Sequence, residues 1–311
     1  MTKRKKRQIV STLLIFFLII TAVLTPLSLI IRSGTKSNGS SSSSKKDKLA
    51  DGELTILAIG SSYLVDTMKY VYDISADLGV ARIKLGNLYI GGCPMDNHVN
   101  NYANDLPNYT YYENSNGTWT TKTSYKMSTA LRERDWDYII IMNGGHLQGL
   151  PSAFGNLDTY ISYIRKECPD SILGFNATWA YAEQSTLDWF EPYDYDQMTQ
   201  YNAICDTMQN VVAARSAIKF IIPNTTAIQN LRTSKIVETR ITRDSTSYGH
   251  LTYDFGCYVA SLTAVSTILG KSISNVSFVP DGVTEEEKAI AIESVISAIR
   301  SPYQITTSNY K

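Results

Sequence analysis

The stretch from Leu54 to Asp66, LTILAIGSSYLVD, constrains the fold of this chain more than any other. It begins with an apolar run typical of a buried β-strand, and this run ends abruptly at the small residues of positions 60–62. A helical spacing of apolar residues then starts at Leu64. A strand, a small-residue turn and a helix form the opening half-unit of an open α/β sheet. The working groups of such sheets lie just beyond the carboxyl ends of the strands, so this turn is a candidate site.

The two serines of this turn have two interpretations. Serine is a favoured N-cap, so Ser61 and Ser62 can simply begin the helix. A serine there also lies beside the free backbone N–H groups of the helix start, which can stabilise an oxyanion. The stretch taken alone favours the capping interpretation.

Length and composition fit one α/β domain that follows a short N-terminal extension. The chain has 311 residues, of which 43% are hydrophobic, and this is enough to bury a sizeable core. The formal net charge is zero, so bulk electrostatics predict no nucleic-acid partner.

The first residues of the chain have the composition of a membrane anchor. Residues 3–7 are all basic, and residues 9–31 form an almost unbroken apolar run without a charge. As a helix this run is roughly 34 Å long, which is enough to cross a bilayer. It is longer than a signal-peptide core and no convincing cleavage site follows it, so we predict an uncleaved signal anchor, with cleavage as the alternative. The basic cluster predicts a cytoplasmic N-terminus and an extracellular main domain.

A tether separates the anchor from the globular part. Residues 32–51 are rich in Ser, Gly, Lys and Asn, with five consecutive serines from Ser40 to Ser44, and such a segment cannot bury enough apolar surface to fold. The predicted organisation is a basic tail (1–8), a transmembrane signal anchor (9–31), a Ser-rich linker (32–51) and one globular domain (52–311).

Further strands end in small or polar residues. The predicted second strand, 82–90, is followed by Gly91 and Gly92, and the central strand, 137–142, is followed by Asn143-Gly144-Gly145-His146. An aromatic and Thr-rich stretch around Asn116-Gly117 predicts a β-hairpin with a type I′ turn near the rim of the sheet. Two later strands, a series of helices and a capping box at Thr284 complete the pattern.

Four short blocks follow one another along the chain: AIGSSY, YIGGCPMDNH, RDSTSYGHL and FGCY. The stretches NATWAY and IIPNTTAIQ accompany them. In order and spacing these blocks resemble the SGNH/GDSL-like serine hydrolase superfamily, and within it a little-characterised group of bacterial extracellular proteins. The resemblance covers about Leu54 to Leu269. It implies a three-layer α/β/α, flavodoxin-like fold with a mainly parallel five-stranded sheet, into which the hairpin is inserted.

The resemblance carries catalytic roles to matching residues of this chain. Ser62 matches the nucleophile, and Gly92 matches the glycine whose N–H joins that of Ser62 in the oxyanion hole. His250 matches the general base, which takes the serine proton and later returns it to the leaving group.

Two departures from the family pattern concern the acid and the third oxyanion donor. The acid normally lies three residues before the histidine, but Ser247 occupies that position and Asp244 lies six residues before. Asp244 can still orient His250 if the extra residues loop out, and otherwise a Ser-His dyad remains. The family's oxyanion asparagine aligns with His146, whose neutral imidazole can donate one hydrogen bond, and Asn143 is the other candidate donor.

The three histidines, His98, His146 and His250, allow a competing interpretation, because catalytic zinc often takes three protein nitrogens. No pair has the i, i+3 or i, i+4 spacing of a helical metal motif, and each lies in a hydrolase-like block. We therefore expect no metal and no cofactor, and a structural role for His98. The four cysteines include no CxxC pair, and their spacing does not show which of them, if any, form disulfides.

Resemblance and predicted location together indicate a membrane-anchored extracellular serine esterase or deacylase. Its expected partners are the membrane, through the N-terminal helix, and an acylated carbohydrate or small ester as substrate. The aromatic segment 179–195 can form a sugar-stacking wall, and ordinary packing explains it equally well. Two alternatives remain: an O-acyltransferase, and a non-catalytic surface or glycan-binding module that keeps the fold but has lost the acid.

Overall fold

The structure, a computed structural model, describes residues 52–244 and 249–311. The predicted tail, anchor and linker lie outside the described residues, as does the segment 245–248 between the candidate acid and base. Among the residues that are described, no helix is long and apolar enough to cross a membrane.

One seven-stranded mixed sheet forms the middle of the domain, which confirms the α/β class. Its strands are β1 (Glu53–Gly60), β2 (Arg82–Tyr89), β3 (Tyr109–Asn114), β4 (Trp119–Tyr125), β5 (Tyr138–Ile141), β6 (Ile172–Ala177) and β7 (Ile218–Pro223). Their order across the sheet is β4-β3-β2-β1-β5-β6-β7. Strands β2, β1, β5, β6 and β7 pair in parallel, and their order is that of flavodoxin-like sheets.

The hairpin differs from its prediction in two ways. Strand β3 pairs antiparallel with β2, and β4 pairs antiparallel with β3 at the edge of the sheet, so the predicted five-stranded sheet is two strands too small. The last pair is Asn114 with Trp119, which leaves a four-residue loop rather than the two-residue loop of a type I′ turn. The side chains of Asn114 and Asn116 accept backbone N–H bonds within this loop and so stabilise the longer turn.

Helices connect the strands. In the described part of the chain the α-helices are α1 (Ser62–Met68), α2 (Val71–Asp77), α3 (Met95–Ala103), α4 (Met127–Arg132), α5 (Leu157–Glu167), α6 (Gln197–Thr207), α7 (Asn224–Leu231), α8 (Glu238–Ile241), α9 (Phe255–Leu269) and α10 (Glu285–Arg300). Short 3-10 segments cover Gly145–Leu147, Pro151–Phe154 and Asp188–Tyr193, and a π-helical segment covers Met208–Val212. The capping box predicted at Thr284 is present with Glu287 as its partner.

The apolar side chains of β1 point alternately to the two faces of the sheet. Leu54, Ile56 and Ala58 belong to a core covered by α1, α2, α7, α9 and α10. Leu57 and Ile59 belong to a second core, covered by α3, α4, α5 and α6. Helices on both faces make a three-layer α/β/α domain, in which a central strand is buried on both sides and reads as a continuous apolar run.

Helix α7 was missed in the sequence because it is both polar and fully buried. All eight of its residues, NTTAIQNL, are buried, so the alternation of apolar and polar faces that marks a surface helix is absent. Its polar side chains bond to buried groups instead. The amide of Asn224 donates to Asn176 and to Thr67 of α1, and Asn230 donates to the carbonyl of Ser294.

Candidate active site

The turn after β1 places Ser62 at the first position of α1. A β-carbon at Gly60 would lie 2.4 Å from Cγ of Met142, so glycine is needed where β1 ends beside β5. Ser61 occupies the N-cap position but makes no side-chain cap hydrogen bond, and its Oγ lies 3.8 Å from Sδ of Met142. Neither serine side chain caps the helix. The hydroxyl of Ser61 makes no cap hydrogen bond, and that of Ser62 contacts His250.

Three side chains form a continuous series of hydrogen bonds at this turn. The Oγ of Ser62 lies 2.8 Å from Nε2 of His250. The Nδ1 of His250 lies 2.7 Å from Oδ2 of Asp244. With the proton assigned to Nδ1, the imidazole donates to the carboxylate and accepts from the serine hydroxyl. The structure thus brings the predicted nucleophile, base and acid together.

Asp244 reaches the imidazole because the chain folds back on itself. Thr242 and Leu251 form an isolated antiparallel bridge, and the N–H of Arg243 donates to the carbonyl of His250 at 2.8 Å. Asp244 and His250 therefore lie beside each other next to this bridge, and residues 245–248 between them are outside the described residues. Asp244 has a φ of +73°, in the left-handed region that few residues other than glycine adopt.

The aromatic side chains of Tyr63 and Trp179 contact the segment that carries His250. The ring of Tyr63 packs between the rings of Trp179 and His250, with centroid distances of 4.9 Å and 5.3 Å. The indole N–H of Trp179 donates to the carbonyl of Gly249 at 2.8 Å. These contacts hold the backbone immediately before His250.

The turns after the paired strands β1 and β2 each carry a backbone N–H group of interest, at Ser62 and at Gly92. Ser62 begins α1, and the first N–H groups of a helix have no intrahelical acceptor. Gly92 has a φ of +59°, and within residues 52–244 and 249–311 its N–H donates to no acceptor. Left-handed backbone explains why glycine is needed at position 92.

His146 lies on the same side of the site as Gly92. A β-carbon at Gly144 would lie 3.1 Å from the carbonyl oxygen of Gly92 and 3.1 Å from Cε1 of His146. The imidazole of His146 stacks on the indole of Trp189, with ring centroids 4.2 Å apart. Burial lowers the pKa of His146, so the ring is neutral at neutral pH and carries one N–H donor.

The position of Asn143 does not fit the role of an alternative oxyanion donor. Its Oδ1 accepts from the backbone N–H groups of Met95 and Gly144 at 2.8 Å and 2.9 Å, and its Nδ2 donates to the carbonyl of Ala153 at 2.9 Å. The residue is completely buried, so it does not contact a substrate in this conformation. Its side chain orders the turn after β5 and the start of α3.

His98 and the four cysteines lie in the interior. The ring of His98 stacks against Tyr109 and Tyr160, and burial lowers its pKa to about 3. Across the described ranges, no group of three or more His, Cys, Asp or Glu side chains is arranged to hold a metal. The four cysteines are free thiols.

Most of the aromatic segment 179–195 packs in the core. Trp179, Tyr181, Phe190 and Tyr193 are buried. Trp189 is the exception near the site, since its side chain is 53% exposed and its Cη2 lies 3.6 Å from where a β-carbon on Gly92 would be. Segment 179–195 therefore contributes one exposed indole to the site rather than a wall.

Sequence reasoning missed Asp66, which contacts the segment that carries the candidate base. It lies four residues after Ser62, and residues with this spacing share one face of a helix. The single acidic residue of a mostly apolar helix, on the face of the candidate nucleophile, was the available signal.

Comparison with known proteins places this chain in a family. The model of the DUF4886 family, a domain of unknown function, matches residues 55–298. The crystal structure of a DUF4886 family protein from Bacteroides uniformis ATCC 8492 matches with a TM-score of 0.77 and 31% sequence identity, covering 82% of this chain and 98% of that chain.

More remote structures match less well. A protein from Slackia heliotrinireducens, described as a candidate SGNH hydrolase, has a TM-score of 0.42 and 14% identity over 70% of this chain and 99% of that chain. The salicylyl-acyltransferase SsfX3 from a tetracycline biosynthetic pathway has a TM-score of 0.38 and 9% identity over 72% of this chain and 56% of that chain. Likeness at this level carries no argument about activity. No curated protein matches the chain.

Proposed function

We propose that this chain, which belongs to the DUF4886 family, is a serine hydrolase that cleaves carboxylic esters with Ser62, His250 and Asp244. The observation that carries the proposal is the unbroken series of hydrogen bonds from Asp244 through His250 to Ser62, with lengths of 2.7 Å and 2.8 Å. A serine hydroxyl becomes a useful nucleophile when a base lies within hydrogen-bond reach and a third group orients that base.

In the first half of the proposed reaction, Ser62 Oγ attacks the acyl carbon while His250 Nε2 takes the hydroxyl proton. Asp244 keeps the other ring proton on Nδ1 and stabilises the imidazolium that forms. The imidazolium then gives its proton to the leaving alcohol, and an acyl group remains on Ser62. In the second half, water attacks the acyl carbon, His250 takes a proton from it, and the proton returns to Ser62 as the acid leaves.

The negative charge of the tetrahedral intermediate needs donors at the turn. The backbone N–H groups of Ser62 and Gly92 are proposed as two of them, and the neutral imidazole of His146 as the third. Such donors lower the barrier because they are oriented before the charge develops. Asn143 has no part in this proposal, because its amide is buried and bonded to the backbone.

The proposed substrate class is an acylated glycan or a small ester. The exposed indole beside Gly92 and His146 supports this class, because an aromatic face can stack on a sugar ring attached to the ester. An acyl-enzyme intercepted by a sugar hydroxyl would give O-acyl transfer with the same residues. The non-catalytic alternative was motivated by a missing acid, and the 2.7 Å contact of Asp244 with His250 weakens that motive.

The test of catalysis uses the full chain, a small aryl acetate and a fluorophosphonate probe. We expect Ser62→Ala and His250→Ala each to abolish hydrolysis and labelling, and the double variant to be little worse than either, because triad members act as a unit. Ser61→Ala is the matched control, since its hydroxyl does not contact His250, and it should retain activity. A wild-type chain that neither hydrolyses the ester nor reacts with the probe would favour the non-catalytic module.

We also propose that residues 9–31 anchor the protein in the membrane with the catalytic domain outside the cell. The uncharged apolar run behind a basic cluster supports this topology. The full chain should fractionate with membranes, and protease added to intact cells should cleave the domain from its anchor. Recovery of a freely secreted chain that lacks the first thirty or so residues would contradict the anchor.

A further inference from the structure

We infer that Asp66 is a positioning residue that fixes the segment bearing the acid and the base against the helix bearing the nucleophile. This inference rests on the proposed function for its consequence, but its geometry stands independently. Nothing in the series from Asp244 to Ser62 includes Asp66, so its role would be to set the geometry of that series.

The carboxylate of Asp66 bonds to both sides of the base-bearing segment. Its Oδ2 accepts from the backbone N–H of Leu251 at 3.1 Å, immediately after His250. Its Oδ1 accepts from the guanidinium of Arg243 at 3.0 Å, immediately before Asp244. One carboxyl group therefore holds the residues adjacent to the acid and to the base.

Arg243 makes further contacts with the same segment. Its guanidinium also donates to the carbonyl of Leu251 and lies 4.0 Å from the ring centroid of Tyr253. Its backbone N–H donates to the carbonyl of His250 at 2.8 Å. Because the planar guanidinium donates in two fixed directions, Asp66 and Arg243 together restrict how the two sides of the bridge can shift.

Asp66 connects this segment to the nucleophile through α1. Ser62 and Asp66 are one helical turn apart, so a rigid helix transmits the position of one to the other. The distance from Ser62 to His250 therefore depends on whether the carboxylate holds its two donors.

Burying the charged carboxyl of Asp66 costs free energy. Its side chain is only 4% exposed, and burial raises its pKa, against the opposing effects of the Arg243 guanidinium and the His250 imidazole. Replacing a buried ion pair by apolar residues is often neutral or stabilising, so fold stability alone gives a weak reason for a charge here. An apolar pair could not orient the catalytic segment through hydrogen bonds, whereas the charged pair can.

The main test is Arg243→Lys in the full chain, with Arg240→Lys as the matched control. Both arginines lie in the same part of the chain, both pair with carboxylates, and their side chains are 21% and 25% exposed. Arg240 pairs with Asp254 and Glu287, away from His250. A lysine at 243 keeps the charge but cannot donate to Asp66 and Leu251 in the same fork.

Three measurements separate positioning from a structural role. We expect Arg243→Lys to lower kcat on an aryl acetate on the order of 10- to 100-fold with KM nearly unchanged, as misplacement of a catalytic group does. The fluorophosphonate labelling rate should fall in parallel. Nitrogen NMR of the three histidine side chains should show His250 losing its single Nδ1-protonated form, while His98 and His146 keep their wild-type signals. Asp66→Asn should give the same changes, because its amide N–H₂ would face one of the two donors, the Arg243 guanidinium or the Leu251 N–H.

The outcomes are distinguishable from failure of the proposed function. If the wild-type chain is inert towards both probes, the hydrolase proposal fails, and the histidine spectra of wild type and Arg243→Lys still test the inference. If Arg243→Lys matches Arg240→Lys in kcat and labelling, and His250 keeps its wild-type signal, Asp66 is not a positioning residue. Should Asp66→Asn fail to fold, Arg243→Lys decides the question.

Discussion

A serine hydroxyl is a poor nucleophile by itself, and Ser62 lies within hydrogen-bond reach of the base that the proposed reaction requires. His250 accepts its hydrogen bond, Asp244 accepts from the far side of the imidazole, and the backbone of Gly92 is left-handed with its N–H unused among the described residues. At this scale, the proposed function depends on a few directional hydrogen bonds, and each of them can be removed by one substitution.

His146→Ala tests the third oxyanion donor. We expect a loss on the order of 3 kcal/mol of transition-state stabilisation, seen as about a 10²-fold lower kcat with KM little changed. His146→Asn keeps a neutral donor and should recover part of the rate. Steady-state kinetics on an aryl acetate measure both variants, and an unchanged kcat for His146→Ala would remove the residue from the oxyanion hole.

Trp189→Ala tests the sugar-stacking role of the exposed indole. The KM for an acetylated pyranoside should rise about 3- to 10-fold, which corresponds to the loss of one aromatic contact. Tyr195→Ala is the control, because Tyr195 is 44% exposed in the same segment and packs on Phe190. Equal effects of the two substitutions would argue against a stacking site at Trp189.

At the scale of secondary-structure elements, the site is made where strands end. The turn after β1 carries Ser62, the turn after β2 carries Gly92, and the turn after β5 carries His146. Parallel strands β2, β1 and β5 are neighbours, so their carboxyl ends lie side by side at one edge of the sheet. The candidate base, His250, comes from a later segment, which contains the bridge between Thr242 and Leu251.

Asn143→Ala tests how the turn after β5 is held. The substitution leaves the backbone groups of Met95, Gly144 and Ala153 without their partner, and unsatisfied buried groups cost about 1–3 kcal/mol each. We expect the free energy of unfolding to fall by about 2–4 kcal/mol in a denaturant titration. Asn104→Ala, which removes an exposed amide bonded to Asn100, should change it by less than about 0.5 kcal/mol. Similar losses for the two variants would contradict the structural role of Asn143.

At the scale of the whole molecule, a charged cluster joins helix α8, which precedes His250 in the chain, to helix α10. The guanidinium of Arg240 in α8 donates to Glu287 of α10, to Asp254 before α9 and to the carbonyl of Gly282. The hydrogen bond from Arg240 is the main cause that lowers the pKa of Glu287. A carboxyl whose pKa is lowered by folding stabilises the folded state above its unfolded pKa and loses that contribution as the pH falls through its folded pKa.

Arg240→Met should therefore destabilise the protein in a pH-dependent way. At neutral pH we expect a loss of about 1–3 kcal/mol, because a partly buried charged hydrogen bond is removed. The difference in Tm between wild type and variant should narrow as the pH falls from about 5 towards 3, where Glu287 becomes protonated in both. Thermal melts monitored by circular dichroism measure this difference in Tm.

Lys288→Met is the control, since its partner Glu285 is 82% exposed, and its Tm should stay near that of wild type at every pH. A constant difference for Arg240→Met would contradict the linkage.

The sequence by itself determined the elements whose signal is local. The run from Leu54 to Ile59 indicated a buried strand, and the structure has β1 at Glu53–Gly60. Positions 284 and 287 carry the capping box of α10 as predicted. A buried parallel strand and a helix cap each depend on residues that are close together in the sequence, so the sequence pattern alone is sufficient to predict them. The order of Ser62, Gly92 and His250 also indicated a hydrolase-like site, and the catalytic roles of these residues stay a prediction.

The tertiary structure decided where polar side chains point. Asn143 and His146 are three residues apart, yet one bonds to buried backbone and the other stacks on an exposed indole. The hydrogen bond between Ser62 and His250 joins residues 188 positions apart, and Asp66 meets Leu251 across 185. A polar group takes the partner that packing brings within about 3 Å, and local periodicity contains no information about that partner. For this reason the strand and the serine could be found in the sequence, whereas the reach of Asp244 and the contacts of Asp66 required the fold.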